Sequence, residues 1–141
     1  MTYIPEAMRR SVLERAQNCC EYCLLTVNTT AFPHEVDHII AEKHSGKTDI
    51  DNLCLSCFEC NRHKGSDVAS YDPETGEGEF LFNPRLHQWP DHFRLDQARI
   101  EALTRRGRVT AFLLQFNRED RLLERQTLIE VNRYPCKPLA L

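Results

Sequence analysis

Two cysteine pairs with the same internal spacing are the first chemically informative feature of this chain. Cys20 and Cys23 form one C-x-x-C pair, and Cys57 and Cys60 form another after 33 intervening residues. A two-residue gap lets a tight turn aim both sulfurs at one ion, and four thiolates suit tetrahedral zinc. We therefore predict a closed, structural Zn²⁺ site at these four cysteines rather than four unrelated buried thiols.

The remaining cysteines leave the register of that site open. Cys19 could replace Cys20, and Cys54 forms a further C-x-x-C pair with Cys57. Cys20 is preferred because it has the two-residue gap. Cys54 lies in an apolar run, where a cysteine is more often a small buried hydrophobe. The seventh cysteine, Cys136, is expected to be a free thiol.

A second group of side chains places oxygen ligands beside a histidine. Asp37 precedes His38, Asn52 follows within the spacer, and Asn61 comes directly after the last cysteine of the second pair. Carboxylate and amide oxygens are hard ligands that suit Mg²⁺, which keeps waters and phosphate as its other ligands. The group therefore indicates a site for magnesium and phosphate.

The order of these residues resembles a known family. The pattern Cys-x-x-Cys, Asp-His-Ile, Asn-Leu, Cys-x-x-Cys-Asn-x-x-Lys-Gly, over about residues 15–66, resembles the HNH nucleases. The resemblance implies an α+β fold with flanking helices around a zinc-braced ββα-metal core, in which a hairpin is followed by a helix. It also implies a metal-dependent endonuclease that hydrolyses phosphodiester bonds in DNA.

The resemblance also assigns a role to each member of the second group. His38 matches the family's general base, which takes a proton from the attacking water. Asp37 and Asn61 match the ligands of a catalytic Mg²⁺ or Mn²⁺, which makes the chain an H-N-N variant. Asn52 matches the middle asparagine, which is expected to secure the loop and hold the His38 ring in orientation.

Three basic residues follow the last of these oxygen ligands. Arg62 and Lys64 are predicted to contact a phosphate backbone or to lie on a solvated helix face. His63 is a candidate third metal ligand, phosphate contact or exposed helix residue. Positions two apart on a helix do not share a face, which weakens joint coordination with the preceding asparagine. His34 is predicted to be a packed or exposed strand residue, and His44 is a candidate substrate contact in a loop.

Local patterns predict the elements around these residues. Apolar residues recur at helical spacing from Pro5 to Gln17, which predicts a helix before the first cysteine pair. Alternation predicts a strand that ends near His38, and a second strand over 51–55 completes a hairpin. A helical turn begins at Cys60 and is closed by Gly65.

Charge divides the chain into two unlike parts. Residues 1–84 carry 7 basic and 14 acidic side chains, whereas residues 85–141 carry 11 basic and 7 acidic ones. The first part is the predicted nuclease core, which ends in an acidic and solvated connection over 67–79. The second is predicted to be a largely helical extension, with helices over about 109–116 and 118–129. We expect it to pack on the core as one compact domain.

Two classes of side chain in the second part have alternative interpretations. Its arginines either form a solvated, ion-paired face or contact nucleic acid. Trp89 is expected to be buried rather than stacked on a base. Six apolar side chains are predicted to pack against the core: Leu113, Leu114, Phe116, Leu122, Leu123 and Leu128.

Composition limits the classes of partner. The formal net charge of -3 over 141 residues excludes a polycation that binds nucleic acid by bulk charge alone. Without an apolar span or a basic leader we expect a cytoplasmic protein that does not associate with membranes. DNA is the predicted partner. A non-cleaving nucleic-acid-binding zinc module and an RNA-directed nuclease are the alternatives, and the sequence does not indicate an oligomeric state.

Overall fold

The computed structural model describes residues 3–136, in which five helices and three two-stranded antiparallel sheets alternate. The helices are α1 (Glu6–Ala16), α2 (Phe58–Lys64), α3 (Trp89–His92), α4 (Arg105–Leu113) and α5 (Glu119–Glu130). The strands are β1 (Glu35–His38), β2 (Leu53–Ser56), β3 (Ala69–Tyr71), β4 (Gly78–Phe80), β5 (Phe93–Asp96) and β6 (Arg99–Ala102). The predicted α+β class is confirmed. None of the helices in the described part of the chain has the length and apolar character needed to cross a membrane.

The first sheet and α2 form the predicted hairpin followed by a helix. β1 and β2 pair antiparallel, with Asp37 opposite Cys54 and His38 opposite Leu53. All four residues of β2 are buried, so this strand lies in the interior, and a one-residue slip in register would turn its leucines away from α1. The pairing therefore fixes the end of β1, where His38 lies.

α1 covers this hairpin with one apolar face. Ile4, Val12 and Ala16 are buried against Leu53 and Leu55 of β2. Removing these side chains from water stabilises the contact between helix and sheet. The helix then leads directly into the first cysteine pair.

The acidic segment 67–79 is largely exposed, as expected of a solvated connection, but it is folded rather than irregular. It contains the β3–β4 hairpin, and Asp72 in the turn is only 1% exposed. Arg108 Nη2 on α4 donates to the Asp72 carboxylate at 2.9 Å, and Arg105 Nε lies 3.7 Å from the same carboxylate. Asp72 pairs with arginines more than thirty positions away, which local composition does not reveal.

The second part of the chain shares a core with the first. Phe93, Leu114 and Phe116 are buried in the same cluster as the paired cysteines. The two predicted helices correspond to α4 and α5. α4 starts earlier than predicted because Thr104 caps it, its hydroxyl accepting the Gly107 N–H.

Two buried aromatic side chains bond to the turn that carries the first cysteine pair. Trp89 Nε1 donates to the Tyr22 carbonyl at 2.9 Å, and Tyr134 Oη donates to the Cys23 carbonyl at 2.8 Å. The prediction that Trp89 is buried is confirmed.

The inner face of α5 carries charge. Its buried residues are Arg121 and Arg125, whereas Leu123 is 68% exposed. The predicted packing of Leu123 is therefore wrong. The other apolar residues of the set are buried or partly buried: Leu113, Leu114, Phe116, Leu122 and Leu128.

Cys136 forms a disulfide with Cys19, so the free thiol predicted for it is wrong. The Cys136 N–H donates to the Leu24 carbonyl at 2.9 Å, which holds this part of the chain beside the first cysteine pair. A separation of 117 positions hides this pairing from local sequence reasoning.

Candidate functional site

The four predicted zinc ligands come together at the start of α2. Cys20 and Cys23 lie in the turn after α1, Cys57 caps α2, and Cys60 lies in its first turn. Their sulfurs all lie within 4.8 Å of one another, and Cys23 Sγ is 3.5 Å from Cys57 Sγ. Tetrahedral Zn²⁺ with Zn–S bonds of about 2.3 Å places its sulfurs about 3.8 Å apart. The donor set therefore fits this ion.

Backbone N–H groups support both cysteine pairs. Cys23 N–H donates to Cys20 Sγ at 3.4 Å, and Cys60 N–H donates to Cys57 Sγ at 3.5 Å. Burial raises the pKa of Cys20, and its hydrogen bonds with the other three thiols act in the same direction. Ionisation of this thiol is therefore disfavoured without a cation, and a Zn²⁺ ion between the sulfurs would supply the charge that four thiolates need.

The two alternative cysteines lie outside this cluster. Cys19 is bonded to Cys136, and Cys54 Sγ donates to Tyr22 Oη at 3.7 Å. Burial raises the pKa of Cys54 to about 12, which keeps it a neutral thiol.

A buried arginine that the sequence analysis missed faces the cysteine cluster. Arg121 Nη2 donates to Cys60 Sγ at 3.3 Å and to Cys57 Sγ at 3.7 Å, while Nη1 donates to the Leu114 carbonyl at 2.7 Å. Burial opposes the charge of this guanidinium, but the neighbouring thiolates outweigh that effect and raise the pKa of Arg121. Its charge offsets part of the negative charge of the cluster. The local signal was weak, because an arginine in a helix normally predicts a solvated face.

The predicted base lies at the end of β1. His38 Nε2 is 2.9 Å from Thr48 Oγ1 in the loop before β2. Its other ring nitrogen, Nδ1, makes no hydrogen bond within residues 3–136. A tautomer that donates from Nε2 to Thr48 leaves the Nδ1 lone pair able to accept a proton. The sequence analysis missed Thr48, since nothing in the loop distinguishes it from its polar neighbours.

Three oxygen-bearing side chains of the candidate site lie on β1 and on α2, which contacts it. Asp37 is half-buried, and burial raises its pKa while the Lys64 ammonium opposes the rise. Glu35 shares the face of β1 with Asp37, and its carboxylate accepts a hydrogen bond from Asn61 Nδ2. The amide oxygen of Asn61, Oδ1, is therefore oriented by this bond as a candidate metal ligand. The parity of Glu35 with Asp37 along the predicted strand was an available signal that the sequence analysis did not use.

Asn52 secures the loop between β1 and β2 through both ends of its amide. Its Oδ1 accepts the Ile40 N–H at 3.0 Å, and its Nδ2 donates to the carbonyls of Ile40 and Lys47, each at 2.9 Å. A side chain at Gly46 would overlap the Ile40 carbonyl, so the loop also needs its glycine. Thr48, the residue after Lys47, makes the contact with the histidine ring that was expected from Asn52.

His63 makes its contacts within the protein. Its Nε2 lies 2.9 Å from Arg118 Nη1 and 3.1 Å from Glu59 Oε2. Arg62, the residue before it, is exposed and lies over the Phe58 ring. The two side chains therefore point into different surroundings on α2.

Lys64 is 2% exposed, which differs from the surface position predicted for it. Its Nζ donates to the Ile39 carbonyl at 2.9 Å. Burial lowers the pKa of Lys64, and the Asp37 carboxylate opposes this shift. The last turn of α2 faces the hairpin, which removes Lys64 from the surface that a phosphate backbone could contact.

The other two histidines near the site differ in exposure. His34 Nε2 lies 2.9 Å from the Leu25 carbonyl, so His34 is a packed residue, as predicted. His44 is exposed and, together with Lys64 and Phe80, lines a cavity of about 470 Å³ beside the loop.

This geometry lies within a segment that resembles known nucleases. Residues 20–67 match the family model of the HNH endonuclease. We call residues 20–67 the HNH domain after this match. Both cysteine pairs, the β1–β2 hairpin and α2 belong to it, together with His38.

The HNH domain accounts for about a third of the chain, and one curated relative extends the comparison. The chain is 24% identical over 124 residues to the Septu protein PtuB of Bacillus thuringiensis. This alignment covers 86% of the chain, so it continues well beyond the HNH domain, but only 46% of the relative. The chain therefore spans about half the length of the curated relative that it matches. No solved structure matches it significantly.

Proposed function

We propose that the protein is a metal-dependent endonuclease that hydrolyses phosphodiester bonds in DNA. The match of residues 20–67 to the HNH endonuclease family model supports this proposal. The observation that carries the proposal is the His38 ring, bonded through Nε2 to Thr48 with Nδ1 unbonded among the described residues. Asp37, a carboxylate, immediately precedes His38 on β1.

In the proposed reaction, His38 acts on the attacking water. Its Nδ1 takes the water proton while the oxygen–phosphorus bond forms and the bond to the leaving oxygen breaks. Thr48 holds the ring and its tautomer. Asn52 acts at a distance by securing the loop that carries Thr48.

A divalent cation, Mg²⁺ or Mn²⁺, completes the proposed site. The Asp37 carboxylate and Asn61 Oδ1 would hold it, and both are the hard oxygen donors that these ions prefer. Glu35 orients the Asn61 amide by accepting from its nitrogen. When bound, the ion offsets the charge that develops on the phosphate oxygens.

The zinc proposed at Cys20, Cys23, Cys57 and Cys60 has a structural role. Four protein thiolates fill a tetrahedral coordination sphere and leave no open position for substrate. The ion would join the turn after α1 to the start of α2. We also propose that residues 85–136 form one compact unit with the core, and that the protein acts in the cytoplasm. The last five residues of the predicted extension, 137–141, lie outside the described part of the chain.

Cleavage of supercoiled plasmid tests the proposal. Zinc-loaded protein is assayed with and without added Mg²⁺ or Mn²⁺, beside a His38→Ala variant whose fold and zinc content match the wild type. We expect ion-dependent nicking that falls by about 10²- to 10⁴-fold in the variant.

Other substrates distinguish the alternatives. Activity on RNA but not on plasmid, single-stranded or branched DNA would make the protein an RNA-directed nuclease. If neither protein cuts any of these with either ion, while both bind nucleic acid equally, the protein is a non-cleaving zinc module.

A further inference from the structure

A stack of side chains at the edge of the HNH domain has no part in the site described above. The Phe32 and Phe58 rings lie parallel, with centroids 4.4 Å apart and planes 23° apart. Arg62 lies over the Phe58 ring, with Cζ 5.8 Å from its centroid. We call Phe32, Phe58 and Arg62 the aromatic platform.

The platform is exposed although it is held in place. Phe32 remains 55% exposed even with Phe58 against it. Thr30 Oγ1 donates to the Phe32 carbonyl at 2.7 Å, and Pro33 restricts the backbone that follows. An exposed aromatic ring with a fixed backbone is a preformed surface for a flat, apolar ligand.

The platform and the proposed catalytic site share their supporting elements. Phe32 lies three residues before Glu35, at the start of β1. Arg62 directly follows Asn61 on α2. Since Glu35 and Asn61 are hydrogen-bonded to each other, the platform lies beside the metal-ligand end of the site.

The positive charge of Arg62 is also available to a ligand, because the nearby carboxylates already have other partners. Glu35 is bonded to Asn61, and Glu59 is ion-paired with Arg118 at 3.1 Å. Within residues 3–136, Arg62 forms no ion pair and no side-chain hydrogen bond, and its guanidinium lies over the Phe58 ring. A planar cation above an aromatic ring can contact a phosphate and stack on a base at the same time.

We propose that the aromatic platform binds an unpaired nucleobase of the nucleic acid substrate, with Arg62 on its phosphate. This inference rests on the proposed nuclease function and specifies its substrate. Bases in a duplex are covered by their neighbours, whereas unpaired bases expose a face on which an aromatic ring can stack. The substrate therefore has single-stranded or unpaired nucleotides next to the cleaved bond.

The test measures binding apart from cleavage, in a His38→Ala background. Phe32→Trp adds a fluorophore on the platform, and Tyr71→Trp adds one at another exposed aromatic position, on β3. Trp89 is buried and common to both proteins. Each is titrated with a short single strand, a blunt duplex of the same sequence, and a strand of equal length that lacks bases at its centre.

We expect the single strand to quench Phe32→Trp but not Tyr71→Trp, and the duplex and the abasic strand to quench neither. In separate binding assays, Phe32→Ala should weaken single-strand affinity by about 5- to 150-fold, and Phe32→Trp should retain it. Arg62→Lys should bind more weakly than the parent, because it keeps the charge but loses the planar group. Circular dichroism and zinc content confirm that each variant is folded.

Equal affinity for single strand, duplex and abasic strand would overturn the proposal, as would unchanged affinity in Phe32→Ala. A change of oligomeric state in Phe32→Ala without a change in affinity would make the platform a protein contact instead. If the single strand quenches Phe32→Trp but the protein with His38 intact cuts no substrate, the nuclease function is contradicted and the base-binding site is retained. Cleavage by the Phe32→Ala variant at the wild-type rate would support the nuclease function and contradict the base-binding site.

Discussion

Arg121 places a positive charge against sulfurs that carry up to four negative charges. A Zn²⁺ ion bound by four thiolates leaves a net charge of -2, which is costly in an interior unless it is compensated. The guanidinium donates to both sulfurs of the second cysteine pair. Groups that donate to metal ligands in this way strengthen the retention of the metal.

We expect Arg121→Met to release zinc to a chromophoric chelator about 10- to 100-fold faster than the wild type. Arg121→Lys should lie between the two, because it keeps the charge but not the paired geometry. Arg94→Met, which removes an arginine paired with Glu101 at the surface, serves as the matched control. Equal release rates in Arg121→Met and Arg94→Met would exclude an effect on the metal.

Thr48 contacts the His38 ring, the proposed base, through a single hydroxyl. Thr48→Val keeps the shape of the side chain but removes its bond to His38 Nε2, so the ring loses its preferred tautomer. We expect kcat for plasmid nicking to fall on the order of tenfold or more, with KM nearly unchanged. Thr48→Ser, which keeps the hydroxyl and lacks the methyl group, should restore most of the rate. If Thr48 acted only by packing its methyl group, Thr48→Ser would be the more damaged variant.

At the scale of elements, the β3–β4 hairpin is attached to α4 by charge. Hydrogen bonds from Arg108, together with a backbone N–H from Glu74, lower the pKa of Asp72 to about 2. Its value in an unfolded chain is about 3.9. The carboxylate therefore stabilises the fold fully above about pH 4, and this contribution is lost as the pH falls toward 2.

Asp72→Asn should lower the Tm by several degrees at pH 7 and sensitise the hairpin to proteolysis. The difference from the wild type should stay constant between pH 5 and 8 and shrink below about pH 4, because the wild-type carboxylate is then neutralised. Asp96→Asn, at an exposed position of β5, should match the wild type throughout. A difference that grows in acid would contradict this account.

The elements differ in how far the sequence could predict them. β1, β2 and α2 were predictable because alternation, cysteine spacing and Gly65 are all local signals. The β3–β4 hairpin and the buried face of α5 depend on partners distant in the chain, Arg108 for Asp72 and the cysteine cluster for Arg121. The four cysteines were predictable as a set because their two-residue spacing is a local signal. No local signal marks Thr48.

At the scale of the whole molecule, the cysteine cluster joins the turn after α1 to the start of α2. Binding of a structural zinc is worth about 10–16 kcal/mol in small zinc domains, and this free energy is available for folding. We expect Cys57→Ala to lose its zinc and most of its fixed tertiary structure. Cys54→Ala, at a buried thiol outside the cluster, should keep one zinc per chain and remain folded.

Zinc content by atomic emission and near-ultraviolet circular dichroism check this pair of variants. Retention of zinc by Cys57→Ala, or its loss in Cys54→Ala, would mean that the ligand set is different. Treatment of the wild type with a strong chelator should reproduce the Cys57→Ala spectrum, and added zinc should reverse it.

The hydrogen bonds from Trp89 and Tyr134 to the turn that carries the first cysteine pair matter for protein engineering. Each ends on a backbone carbonyl of the turn that carries Cys20 and Cys23, and both donors lie outside residues 20–67. Transplanted alone, the family-matched segment would leave these carbonyls and the thiolates facing solvent. A chimaera built on this nuclease segment should therefore carry residues 85–136 with it, as an integral scaffold rather than a removable appendage.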